Sequence, residues 1–235
     1  MLIAIAMLVL SYLVGSIPFG YLIVRLTKHV DVRDYGSKSV GAINVFRVGG
    51  PLLGLVTILL DGAKGSGMVW LTAWLVGADW AIAGAGVLVL IGHAYSIWMW
   101  LKERRFSEGK SIASGFFVII AFSVLGKVPW QVPVGCLAMW GLYLLAPKVM
   151  TGRWWSVSPA TVAAALATPF FFWLADSGLR QPEYLVYAVG FSVLVIVRHQ
   201  NNFRRLIAGE ESLIGRKPKV EPPPDEPPAH CEPRT

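Results

Sequence analysis

The sequence predicts an all-α, polytopic integral membrane protein of about seven transmembrane helices, with its N-terminus outside and its C-terminus in the cytoplasm. Three observations carry this. Hydrophobic residues make up 55% of the 235-residue chain, which holds ten Trp, a composition far from that of a soluble domain. Its apolar stretches approach the roughly 20 residues needed to cross about 30 Å of hydrocarbon. Lys and Arg are concentrated in alternate connections, as they are when short cytoplasmic loops retain the positive charge.

The stretches run approximately from Leu2 to Leu26, Pro51 to Val76, Trp80 to Leu101, Ser111 to Gly126, Trp130 to Pro147, Ser158 to Ala175 and Tyr184 to Val197. The first has no basic start and no A-x-A cleavage site, so it reads as a mature helix and not a signal peptide. The fourth, fifth and seventh are short, and five spans with re-entrant segments is the alternative. The connections after spans one, three and five carry Lys28, Arg33, Lys38 and Arg47, then Lys102, Arg104, Arg105 and Lys110, then Lys148 and Arg153. Arg198, Arg204, Arg205, Arg216, Lys217 and Lys219 follow the last span, whereas the opposite side holds Lys127 and Arg180. A transmembrane domain over 1–214 is therefore expected, followed by a disordered, Pro- and acid-rich cytoplasmic tail over 215–235.

The net charge of +7 follows from this asymmetry together with attraction to anionic headgroups. The bases are scattered over loops bounded by membrane, which argues against nucleic-acid binding. Cys136 lies in an apolar stretch and Cys231 in the tail, so no disulfide framework is expected. No metal-ligand cluster or nucleotide motif is visible, and no cofactor is expected.

Polar clusters interrupt this apolar background, and ionisable groups in or beside lipid are costly and usually functional. The first loop, Asp34 to Gly50, combines Ser37, Asn44 and Arg47 with several glycines. Glycines admit close backbone approach to an anion, and Arg offers a fork for phosphate oxygens; a connecting turn with Arg47 reaching headgroups is the plainer reading. Asp61 and Lys64, at i and i+3 inside the second stretch, are placed to pair, either as a structural ion pair or at a substrate. His93 follows Gly92, and a backbone-satisfied histidine is the commoner role. Glu108-Gly-Lys-Ser111 is not a phosphate-loop motif, because Arg104 stands where that motif needs Gly. It still opens an apolar helix, whose free N–H groups attract anions, with Gly109 for close approach and Lys110 for charge. His199, Asn202 and Arg205 recur every third residue on a helix leaving the membrane; lipid anchoring explains its bases, but not its His and Asn.

In this order the clusters resemble the bacterial acyl-phosphate:glycerol-3-phosphate acyltransferase family of phospholipid synthesis. The match runs from Gly15 to Glu211: Gly15-Ser-Ile-Pro-Phe-Gly20, Gly36-Ser37 through Gly41-Ala42 to Asn44 and Arg47, Asp61-Gly-Ala-Lys-Gly65, Gly92-His93, Gly109-Lys110, Ser156, and Arg198-His199 with Asn202, Arg205 and Leu206. The resemblance implies a seven-span enzyme of the bacterial cytoplasmic (inner) membrane with its active site facing the cytoplasm. The implied reaction moves an acyl group from acyl phosphate to the 1-hydroxyl of glycerol 3-phosphate, giving lysophosphatidic acid and phosphate without a cofactor. It further implies that Ser37, Arg47, Lys110 and His199 are catalytic, that Asn44, Gly109, Ser156, Asn202 and Arg205 bind substrate, and that Asp61, Lys64 and His93 support them.

The chain departs from the family pattern at Lys38-Ser39, where Gly-Asn is common, at Ile43 for Thr, and at Ser96 for Pro. Its Gly-Gly-Lys-Gly turn becomes Glu108-Gly-Lys-Ser111, which sets a carboxylate beside a phosphate site unless Arg104 or Arg105 pairs with it. The alternative function is therefore a non-catalytic or divergent paralogue acting as a membrane transporter or lipid-binding protein.

Overall fold

The computed structural model describes residues 1–104, 106, 109–152, 156–175 and 180–211. Arg105, Glu108, Arg153 and the tail expected at 215–235 lie outside the described residues. Among those described the regular structure is helical, with no strand. The first apolar stretch forms α1 (Leu2–Gly15) and α2 (Phe19–Lys28). A 3₁₀ turn, Val32–Asp34, leads to α3 (Ala42–Gly49) and α4 (Pro51–Leu75). The third stretch is α5 (Asp79–Ala94) and α6 (Ile97–Glu103). Then come α7 (Ile112–Val124), α8 (Gln131–Thr151), α9 (Val157–Leu174) and α10 (Pro182–Ile207).

Among the described residues five segments are long and apolar enough to cross a membrane: Leu2–Lys28, Pro51–Leu75, Asp79–Glu103, Gln131–Thr151 and Val157–Leu174. The thirteen residues of α7 reach only about 20 Å at 1.5 Å per residue. α10 extends well beyond the expected Tyr184–Val197, through the polar stretch to Ile207. Large apolar side chains such as Leu2, Trp74, Val149, Met150 and Leu174 face outward, a surface suited to lipid.

The first and third stretches, expected as continuous helices, are both broken. Pro18 lacks an N–H and its ring clashes with the preceding turn, so the chain unwinds at Ser16–Pro18. Carbonyls freed at membrane depth need partners. Lys64 Nζ donates to the Ile17 carbonyl at 2.9 Å, Ser96 Oγ to that of Ser16, and Trp98 Nε1 to that of Leu13 at 3.0 Å. The second break, at Tyr95–Ser96, lies against the first: Tyr12 Oη donates to the Tyr95 carbonyl at 3.1 Å, and Ser96 Oγ also accepts from Met99 N at 3.3 Å, capping α6. A proline at position 96 has no hydroxyl for either bond. α1 and α5 meet on glycines, since a Cβ on Gly15 would stand 2.4 Å from the Val89 carbonyl oxygen and one on Gly92 2.3 Å from that of Tyr12.

Lys64 is itself buried, with Nζ 2.8 Å from Asp61 Oδ1 as an ion pair, its aligned hydrogen bond going to Ile17. The Phe19 ring centroid lies 5.5 Å from the ammonium, and His93 Nδ1 is 3.5 Å from the same Asp61 oxygen. Ser114 Oγ of α7 donates to the Asp61 carbonyl at 2.8 Å. The apolar core lies between α5, α7 and α10, where Phe122 meets Tyr184 and Tyr187 edge-on at 4.8 and 4.9 Å. At one end Asp79 Oδ1 takes Lys127 Nζ at 2.7 Å and Tyr184 Oη at 2.8 Å, tying α5, the α7–α8 turn and α10 together.

Removing one member of a buried pair strands the other, at about 3–5 kcal/mol. Asp61→Ala should therefore sharply lower the melting temperature in detergent. Asp61→Leu with Lys64→Met should recover part of the loss but not all, because the Ile17 carbonyl stays unpaired; thermal unfolding of the three proteins checks this.

Candidate functional site

Three groups of polar side chains gather at the end of the bundle away from Asp79. The first is the loop before α3. Asn44 is buried, its Nδ2 donating toward the carbonyls of Val32 (2.9 Å), Ser39 (2.8 Å) and Tyr35 (3.1 Å), while its Oδ1 accepts from Ser37 N at 2.9 Å. The Asn44 amide, expected as a substrate contact, makes these bonds within its own loop, folding the loop around one side chain. Among the described residues Ser37 Oγ makes no hydrogen bond. Arg47, one helical turn beyond Asn44, is half-buried and makes no hydrogen bond or ion pair among the described residues; its charge is felt by those of Glu211 and Arg205.

The second group is the turn Gly109–Ser111. Gly109 presses on α5 so closely that a Cβ would stand 2.1 Å from the His93 carbonyl oxygen. The close approach this glycine permits is thus to His93. Arg198 Nε donates to the Gly109 carbonyl at 3.0 Å with its guanidinium 5.0 Å above the Tyr95 ring, and Ser111 Oγ donates to the Leu90 carbonyl at 2.8 Å. The turn is pinned from behind, with Lys110 near enough for its charge to act on His199.

The third group lies on α10 and beyond it. His199 is buried, its Nδ1 2.8 Å from the Val195 carbonyl; that contact needs a proton on Nδ1, which leaves the Nε2 lone pair available in the neutral ring. Asn202 Nδ2 donates to Ser158 Oγ at 3.0 Å and to Glu211 Oε1 at 2.7 Å. The same oxygen accepts from Ser158 Oγ at 2.9 Å and Ser156 Oγ at 3.3 Å, and Arg205 Nε donates to Oε2 at 3.0 Å. Ser156 also caps α9, accepting from Ser158 N at 3.2 Å.

Glu211 and Ser158 were missed by the sequence reading. After α10 the chain turns back at Gly209 (φ +70°), which carries the carboxylate onto the start of α9. Burial alone would raise its pKa, but hydrogen bonds from Asn202, Arg205 and Ser158 outweigh burial and hold it below the usual carboxylate range.

Beneath these groups, the Asp61, Lys64 and His93 cluster adjoins the turn through His93. Together the arrangement offers guanidinium, ammonium and hydroxyl donors for phosphate oxygens, with an imidazole beside them, on a lipid-facing bundle.

Residues 5–209 match the family model described as glycerol-3-phosphate acyltransferase. A glycerol-3-phosphate acyltransferase of Thermosynechococcus vestitus is 38% identical over 214 residues, covering 88% of this chain and 92% of the relative. One of Paramagnetospirillum magneticum is 34% identical over 214 residues, covering 90% and 94%. The crystal structure of PlsY, an integral membrane glycerol 3-phosphate acyltransferase, in its glycerol 3-phosphate form superposes with a TM-score of 0.75 at 30% identity, covering 90% of this chain and 96% of that one. Its lysophosphatidic acid form gives 0.73 at 29%, covering 90% and 95%.

A carboxyl held low in the folded state stabilises the fold above its unfolded pKa, and that contribution is lost as pH falls through the folded pKa. Melting temperature should therefore fall more steeply below about pH 4.5 in the native protein than in Glu211→Gln, and parallel curves would contradict the assignment.

Proposed function

The chain belongs to the glycerol-3-phosphate acyltransferase family; it transfers an acyl group to glycerol 3-phosphate, and we propose that its donor is acyl phosphate. The observation that carries this reading is the meeting of Arg47, Lys110, His199 and Arg205 at one end of a bundle whose flanks suit acyl chains. Acyl phosphate is an activated mixed anhydride and phosphate a good leaving group, so positioning and charge neutralisation supply much of the catalysis.

In the proposed reaction the 1-hydroxyl of glycerol 3-phosphate attacks the acyl carbonyl and forms the ester bond of lysophosphatidic acid as the acyl–phosphate bond breaks. The hydroxyl proton passes to the departing phosphate, with His199 Nε2 as the less favoured acceptor, and no acyl-enzyme forms. Arg47, Lys110 and Ser37 neutralise and orient phosphate groups. Arg205 donates to Glu211 through Nε, which leaves its Nη groups for glycerol 3-phosphate. Ser156 and Asn202 act from the same pocket, oriented by Glu211. Gly109 fixes the turn on His93, and Asn44 shapes the loop that presents Ser37.

We further propose that seven segments cross the membrane (α1–α2, α4, α5–α6, α7, α8, α9 and α10), with the N-terminus outside and the site facing the cytoplasm of a bacterial inner membrane. The charge distribution supports this orientation: Lys28, Arg33, Lys38, Lys102, Arg104 and Arg204 accompany the site, while Lys127 lies at the other end. Two departures from the family pattern favour the enzyme over a non-catalytic paralogue. Lys38 (φ +59°) and Ser111 (φ +59°) both adopt the left-handed conformation that glycine takes freely, so the backbone expected for glycine persists without it.

Detergent-purified protein should form lysophosphatidic acid from palmitoyl phosphate and labelled glycerol 3-phosphate, and none from palmitoyl-CoA. Arg47→Ala and Lys110→Ala should each cut turnover by about 100-fold or more in protein that still inserts; full turnover in both would refute the site. Ser111→Gly should retain activity. Glycerol 3-phosphate binding without any product would favour the non-catalytic alternative.

A further inference from the structure

Arg33 has no role in the reaction drawn above, yet its side chain makes four hydrogen bonds to two carboxylates. Its guanidinium donates from Nη1 to Glu103 Oε2 at 2.6 Å and from Nη2 to Glu103 Oε1 at 2.7 Å. On its other edge it donates from Nε to Asp31 Oδ1 at 2.9 Å and from Nη2 to Asp31 Oδ2 at 2.5 Å, while the Arg33 backbone N–H reaches Asp31 Oδ1 at 2.9 Å. The Tyr21 ring lies 5.2 Å beneath, and Lys102 covers that ring at 4.6 Å and bonds the Tyr21 hydroxyl.

What this clamp joins gives it meaning. Glu103 is the last residue of α6, the helix that precedes the turn of Gly109 and Lys110 in the chain. On the other side, Arg33 follows Val32, whose side chain is wholly buried and whose carbonyl anchors Asn44. Asn44 holds the Ser37 N–H and lies three residues before Arg47. An unbroken path thus runs from the end of α6 through Glu103, Arg33, Val32 and Asn44 to the loop that presents Ser37 and Arg47.

We infer that Arg33 is a positioning residue for acyl transfer, setting the loop of Ser37 and Arg47 against the turn of Gly109 and Lys110. The inference rests on the site proposed above. Two forked carboxylate contacts suit guanidinium and not ammonium, because Arg bonds through a rigid planar fork and Lys through a single point charge. His199, Asn202 and Arg205 stand on α10, outside this path, so their hold on glycerol 3-phosphate is independent of it.

Kinetics of Arg33→Ala and Arg33→Lys test the inference, with Glu103→Gln as a milder variant that keeps the Asp31 fork should Arg33→Ala fail to fold. Misplacement by about 1 Å costs up to ~100-fold in rate, so kcat should fall by about 10- to 100-fold in Arg33→Ala, and less in Arg33→Lys and Glu103→Gln. KM for glycerol 3-phosphate should stay near its native value. A variant that melts earlier but keeps native kcat and both KM values would overturn the inference and leave Arg33 a stabilising residue only. Spin labels at the exposed positions Ile43 and Leu101, with Cys136 and Cys231 replaced by Ser, give a readout independent of turnover. Their distance distribution should broaden in Arg33→Ala, and an unchanged distribution would overturn the clamp. If the native protein makes no lysophosphatidic acid at all, the catalytic reading fails while the spin-label distances still decide what Arg33 holds.

Discussion

Everything at the site depends on one buried ammonium. Lys64 sits at membrane depth, where an unpaired charge is expensive, and the carbonyl freed beside Pro18 is expensive there too. Each removes the other's penalty, and Asp61 neutralises what remains. None of the three groups is tolerable alone, so helix α4 and the break between α1 and α2 are fixed to one another. The second break, between α5 and α6, is fixed to the first by Ser96 and Tyr12, and His93 is thereby set against Asp61.

The consequence reaches the surface through backbone contacts. His93 forms the floor on which Gly109 rests, and a methyl group at that position would collide with the His93 carbonyl. Arg198 holds the same glycine from α10, which also carries His199, Asn202 and Arg205. The turn is thus clasped between α5, whose His93 faces the buried pair, and α10, which carries the polar face. A charged site beside lipid needs such support, because cations gathered at one place repel one another. Glu211 relieves part of that repulsion by taking Arg205, and it collects Ser156, Ser158 and Asn202 on the same carboxylate.

Much of this was legible in the sequence. The extent of α4 was read to within one residue, since an unbroken apolar run opened by Pro51 leaves little choice. The pairing of Asp61 with Lys64 followed from their spacing and the cost of leaving either alone. The break at Pro18 had its signal in that proline, yet the apolar run was read straight through it. The break at Tyr95–Ser96 had no such signal, because it is made by a serine that caps one helix and bonds to another, which is a tertiary fact. Asn44 was noticed for its amide, but whether an amide faces substrate or its own loop depends on where three carbonyls fall. Glu211 was invisible for the same reason. It joins Asn202 only after Gly209 reverses the chain, and nothing in local periodicity foretells what a reversed chain will touch.

The departures from the family pattern show which features of the turn and loop are set by contact and which by residue type. Glycine is the easy choice for a left-handed backbone, and other residues there cost on the order of 1 kcal/mol. Ser111 recovers part of that through its bond to the Leu90 carbonyl, and the loop of Lys38 is held by the Asn44 amide whatever occupies position 38. Ser96 makes two bonds that proline has no hydroxyl to make. In each case the surrounding contacts dictate the backbone and the residue conforms to it. Gly109 is different, because its constraint is the space in front of His93, which no contact elsewhere can enlarge. Residue identity is therefore binding where two backbones touch, and negotiable where hydrogen bonds alone hold the chain in shape.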